Sequence, residues 1–187
     1  VGQPACGQRP RRIPVFGQPE EVRSPQSTHP GDRYEIVDGR LQVTGPQPPS
    51  HHAAVTALLI KLKLACPPGF RVAVDSLDFR PTPHHTFRPD VLVCHRDDAG
   101  PIFTPRLLLA VEVLSPSTRV TDVVHKRALY EGFAVPSYWL LDPDREELTV
   151  LELQHRHYTC QAVVQAEEYH HVDLPFPLDL FPMELLT

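Results

Sequence analysis

A chain of 187 residues can bury one good core but not two ordinary domains with a linker, so a single domain is expected. With 41% hydrophobic and 22% charged residues, the composition lies near the average for globular proteins and argues against both wholesale disorder and a membrane protein. The net charge of −5 argues against strong nonspecific attachment to DNA, which draws on Lys and Arg, but it leaves room for an acidic cleft beside a local basic rim.

No stretch approaches the ~18 consecutive apolar residues of a membrane span, and the N-terminus has no apolar run of a secretory signal, so the cytoplasm is the expected location. Cys6, Cys66, Cys94 and Cys160 are far apart with no CxxC pair and read as ordinary thiols.

Residues 1–30 carry Pro, Gly, Gln and Arg without periodic apolar positions and read as a flexible N-terminal arm; the domain is expected over residues 31–187. Tyr34 to Val43 places short apolar runs on both sides of Asp38-Gly39, a two-residue hairpin signal, so two antiparallel strands open the fold. From His51 to Ala65, Val55, Leu58, Leu59, Leu62 and Ala65 recur at helical spacing, with Ser50 as the expected N-cap. Pro67-Pro68-Gly69 stops that helix, and Phe70 to Phe79 reads as one extended strand. Asp90 to Cys94 and Leu107 to Leu114 are near-continuous apolar runs expected as central strands. Thr121 to Phe133 reads as a helix ending near Gly132.

Tyr138 to Asp142 and Leu148 to Leu153 read as strands joined by a turn at Asp142 to Arg145. A last strand follows at Tyr158 to Val164, and the Pro-rich Leu174 to Pro182 is expected to pack as a tail. The order predicts a mixed α/β (α+β) sandwich.

The chemically informative constellation is Asp90 at the start of one strand, Glu112 inside the next, and Asp122 with Lys126 on the following helix. Two carboxylates on neighbouring strands can converge on one hard cation and leave positions for water and a phosphate. Glu112 is embedded among Val and Leu, where a lone buried carboxylate is costly unless paired or metal-bound. Taken singly, each residue has a plain reading. Glu112 could face solvent or pair with an Arg, Asp90 could belong to a Pro-Asp turn, and Lys126 could be a solvated helix residue. Asp122 and Lys126, four apart, have the spacing of an ordinary surface ion pair, and that is the reading expected for them. Tyr130 is expected in the core.

The ordered set resembles the PD-(D/E)XK nuclease superfamily, and within it the restriction-endonuclease-like Uma2 family. The resemblance spans about residues 32–182 and rests on Tyr34 to Leu41, Ser50-His51, Arg88-Pro89-Asp90-Val91, Val111 to Thr118, Asp122, Lys126, Tyr130 and Val135 to Pro143. It implies a restriction-endonuclease-like mixed sheet flanked by helices and opened by a β-hairpin. One departure stands out: the usual tripeptide would place Lys at position 114, where this chain has Leu114, so Lys126 from the next helix is taken as its substitute. The implied site has Asp90, Glu112 and Lys126 at its centre, Glu35 and His51 as further candidates, and Asp90, Glu112 and the Val113 carbonyl as ligands of Mg²⁺ or Mn²⁺. The implied reaction is hydrolysis of a DNA phosphodiester, with a homodimer suited to cutting both strands and no membrane partner.

Two other readings stay open: a nuclease-fold binding module without chemistry, and a hydrolase of a smaller phosphoester. The His pairs at 51–52, 84–85 and 170–171 lack a zinc spacing, and Ser115 and Ser117 lack a nucleophile elbow. The Ser-Pro-Ser-Thr segment instead reads as the turn leading into the Lys126 helix.

Overall fold

The computed structural model describes residues 31–186; the arm expected over residues 1–30 lies outside the described residues. The chain opens with the expected hairpin, β1 (Arg33–Val37) and β2 (Arg40–Thr44). Its turn residues Asp38 and Gly39 sit at φ 51° and 73°, the paired positive angles that match a tight turn to the strand twist. Helix α1 (Pro49–Ala65) follows, starting two residues earlier than expected. Ser50 does not cap it. Pro48 occupies that position without a side-chain bond, and Pro49, whose missing N–H costs nothing in the first turn, begins the helix.

The single strand expected over Phe70 to Phe79 is two strands in different sheets, β3 (Phe70–Ala73) and β4 (Asp78–Thr82). Asp75, at φ 45°, breaks the extended run between them. Then come β5 (His85–Phe87), β6 (Val91–His95), β7 (Phe103–Thr104) and β8 (Leu109–Val113). A π-helical turn over Thr121–Lys126 runs directly into α2 (Arg127–Gly132). Strands β9 (Ser137–Asp142), β10 (Glu147–Gln154) and β11 (His157–Gln165) complete the large sheet. The Pro-rich tail does pack, and part of it is regular: β12 (His170–Val172) pairs with β13 (Leu178–Leu180), which puts Leu178 and Leu180 in the core.

The large sheet has the order β11-β10-β9-β8-β6-β3, with β8 and β9 parallel and the other pairs antiparallel. The apolar runs read as central strands are central, and every residue of β8 and β9 is buried. Alternation divides β8 between two cores. Leu109, Val111 and Val113 pack in one core with Ala54, Leu58 and Leu62 of α1. Ala110 and Leu114 pack in the other with Tyr130 of α2 and with Phe79 and Phe87 of the small sheet, whose order is β2-β1-β5-β4-β7. Glu112 has the parity of the second group, so the strand pattern aims it between the sheet, the helix and the hairpin.

Candidate active site

Asp90 directly precedes β6, whose antiparallel register pairs Val91 with Val111, so Asp90 comes alongside Glu112 and Val113 at that end of β8. The Val113 main chain meets it through the N–H, which donates to Asp90 Oδ2 at 2.8 Å. His51, in the first turn of α1, brings Nε2 to 3.0 Å from the same oxygen. Arg33 of β1 donates to Asp90 Oδ1, and its other terminal nitrogen donates to the Arg88 carbonyl at 2.6 Å.

Glu35 lies two residues after Arg33, the spacing that returns a strand side chain to the same face. Its Oε1 accepts the Arg88 N–H at 2.8 Å, and its Oε2 lies 3.3 Å from Lys126 Nζ. Lys126 also reaches Glu112 Oε1 at 3.1 Å and Asp122 Oδ1 at 3.5 Å. The Tyr130 hydroxyl donates to that same Glu112 oxygen at 2.8 Å. Asp122, Lys126 and Tyr130 recur every four residues through the π turn and into α2. The Arg127 N–H closes the wide turn on the Asp122 carbonyl, which also accepts the Tyr138 hydroxyl at 2.9 Å.

Burial sets the electrostatics. Glu112 is 2% exposed and Lys126 8%. Burial pushes the Glu112 carboxyl well above its ordinary value; Lys126 opposes that, while Asp122, Asp90 and Glu35 add to it. Asp122 is pushed up as well, again by burial and against the pull of Lys126. Burial works against the charge on Lys126, but Glu112, Glu35 and Asp122 outweigh it and hold the ammonium protonated. Asp90 goes the other way. Burial is overcome by the His51 hydrogen bond and the Arg33 charge, and its carboxyl is held well below the usual range.

Four carboxylates, Glu35, Asp90, Glu112 and Asp122, thus line one pocket with two cations, Arg33 and Lys126. The pocket encloses about 20 Å³, on the order of one water molecule. Clefts of about 300 and 240 Å³ adjoin it, and both share Glu35 and Lys126 with it. A further cavity of about 600 Å³ lies at the opposite end of the large sheet's central strands, beside His95, Leu108 and Pro136.

All five side chains singled out in the sequence therefore meet in one place. Glu112 does not face solvent, and the expected surface ion pair of Asp122 and Lys126 is a buried one, since i,i+4 spacing fixes proximity but not which face of the helix is covered. Tyr130 is in the core, yet its hydroxyl serves Glu112. Arg33 was missed altogether: it lies one residue before the run read as the first strand, and the structure makes it the first residue of β1. Ser115 Oγ lies 3.0 Å from both Ser117 Oγ and Thr118 Oγ1, as expected of a turn before the helix.

Among the described residues, no three or more His, Cys, Asp or Glu side chains are grouped as for a metal ion. The donor chemistry still suits a Mg²⁺-like ion, which keeps several waters and takes only one or two carboxylates. Acidic groups outnumber cations here, and burial, with Asp122, Asp90 and Glu35 adding to it, drives Glu112 toward protonation.

A mixed sheet that gathers an Asp before one central strand, a Glu from the next and a Lys from the following helix defines a restriction-endonuclease-like fold of the PD-(D/E)XK kind. The chain belongs to the Uma2 family, whose model, described as "Putative restriction endonuclease", matches residues 19–184. It is also similar in fold to a crystal structure from Anabaena variabilis described as "a putative nuclease belonging to DUF820". The two share 19% sequence identity at a TM-score of 0.65, over 82% of this chain and 89% of the other. None of the curated proteins matches this chain.

Proposed function

We propose that this protein is a divalent-metal-dependent endonuclease that hydrolyses DNA phosphodiester bonds. The observation that carries the reading is the convergence of Asp90, Glu112, Glu35 and Lys126 in one buried, anion-rich pocket within a nuclease-family fold. Asp90 and Glu112, with the Val113 carbonyl, are the groups assigned to hold Mg²⁺ or Mn²⁺. When bound, such an ion supplies a water of lowered pKa and a Lewis acid for the phosphate.

The protein's own residues do the rest. Lys126 stays protonated among three carboxylates, so it acts as a cation that orients the attacking water and balances charge on the phosphorane-like transition state, rather than as a base. Tyr130 and Lys126 both hold Glu112 Oε1, which fixes the carboxylate plane and leaves Oε2 for the ion. His51 and the Val113 N–H fix Asp90 in the same way through Oδ2.

Two observations favour other readings. Asp90 and Glu112 are already compensated by Arg33, His51, Lys126 and Tyr130, as a catalytically silent binding module would need. Arg33 and Lys126 are also the only Lys or Arg lining the pocket and its adjoining clefts among the described residues, which suits a smaller phosphoester better than a duplex held by many phosphate contacts. A nicking assay decides. Supercoiled plasmid incubated with the wild-type protein and Mn²⁺ should relax, and EDTA or Lys126→Met should abolish the relaxation. If the plasmid stays intact while bis(p-nitrophenyl) phosphate is cleaved, the smaller substrate is the better reading, and inertness toward both leaves the binding module.

A further inference from the structure

We propose that Arg33 is an exchangeable guard of Asp90: it pairs with Asp90 Oδ1 in the metal-free protein, leaves that oxygen when a divalent cation binds, and turns its guanidinium to a non-bridging oxygen of the substrate phosphate. This rests on the reading of the pocket as a metal-dependent phosphodiesterase site.

The two carboxylate oxygens of Asp90 are held by different kinds of partner. Oδ2 accepts from the Val113 N–H and faces His51 Nε2, both on regular elements of the fold. Oδ1 faces Arg33 instead, so a cation that takes Asp90 through Oδ1 competes with that guanidinium for one oxygen.

The two sides of this exchange differ in mobility. The Asp90 side chain is 3% exposed and the Arg33 side chain 19%. Arg33 has a long stem, and a second carboxylate, Asp75, stands 3.8 Å from its Nη2 with its own side chain 67% exposed. Nη2 also donates to the Arg88 carbonyl, so the guanidinium can pivot about that bond from Asp90 toward the solvent side.

Charge favours the move. Four carboxyl groups line the pocket against the two fixed cations Arg33 and Lys126, so a divalent ion brings positive charge to a place where acidic groups outnumber basic ones. Once it is supplied, Asp90 no longer needs Arg33, and the planar fork is free to bind a phosphodiester through two parallel N–H bonds. A purely structural arginine would behave otherwise, because its loss would loosen Asp90 and weaken the ion.

The two roles give effects of opposite sign on metal affinity. Mn²⁺ is titrated by calorimetry into wild type, Arg33→Met and Arg33→Lys, with circular dichroism as the check on fold and bis(p-nitrophenyl) phosphate hydrolysis as the rate readout. R33M should bind Mn²⁺ about tenfold more tightly, a change of ~1.4 kcal/mol. Its kcat should fall by about 10²-fold, the usual loss when one transition-state donor is removed. R33K should lie between wild type and R33M in both readouts, and it carries the test alone if R33M does not fold. Unchanged or weaker Mn²⁺ binding in a folded variant would overturn the guard. Mn²⁺ binding that appears only in R33M would support the guard while telling against activity in the wild-type chain. No binding in any of the three would remove both the guard and the metal-dependent reading.

Discussion

Replacing Lys126 with Met keeps most of the side-chain volume and removes the cation that three buried carboxylates share. Its Nζ lies 3.1, 3.3 and 3.5 Å from Glu112, Glu35 and Asp122. At an effective dielectric of ~20 each pair attracts by about 5 kcal/mol, most of which offsets the cost of desolvating the charges. Breaking such a buried set by removing one partner costs about 3–5 kcal/mol. For a chain of this size that corresponds to a fall in Tm of about 6–20 °C.

The loss should depend on pH. Glu112 and Asp122 already have folded pKa values above their ordinary ones, and without Lys126 both rise further. A carboxyl raised on folding favours the folded state at low pH, and that advantage is lost as pH climbs from the unfolded value through the folded one. Urea unfolding of wild type and K126M at pH 4.5 and pH 7.5 should therefore show a small deficit at the lower pH and the full deficit at the higher. An equal deficit at both, or none at pH 7.5, would refute the assignment of Lys126 as the buried counter-ion.

Glu112→Gln removes a charge that burial disfavours while keeping an oxygen for Lys126 and Tyr130, so it should raise Tm at pH 7.5 and give no gain at pH 4; differential scanning calorimetry at the two pH values reads both. Tyr130→Phe leaves the Glu112 oxygen one donor short in a fully buried setting and should cost about 1–3 kcal/mol in urea unfolding. Gly39→Ala meets nothing within 4 Å, so its cost should be the backbone strain of φ 73° alone, about 1 kcal/mol by the same method.

Much of the fold was legible because local chemistry and tertiary packing agree. Asp38-Gly39 can make the turn that the hairpin needs, and the apolar runs at Asp90 to Cys94 and Leu107 to Leu114 have nowhere to go but the centre of a sheet. What stayed hidden depends on distant partners. Asp75 and Asp78 blur the ends of the run from Phe70 to Phe79 without saying that the chain leaves one sheet for another there, and β5 and β7 are too short to carry a period. Pro49 overrode Ser50 as the helix start because a ring at the first position costs no hydrogen bond. The site was legible through its motif order, which brought Asp90, Glu112, Lys126, Glu35 and His51 together on the page as they are together in the pocket. Arg33 was hidden because an arginine near the start of a strand is unremarkable until its partner, 57 positions away, is known.

Divalent-ion binding at Asp90 and Glu112 is the property on which the proposed activity depends. Calorimetric titration of Mn²⁺ into the wild-type protein and the Asp90→Ala/Glu112→Ala double variant measures this directly. A single saturable site in the wild type that is absent from a folded double variant is the expected result; no heat of binding in the wild type, or equal binding in both proteins, would contradict it.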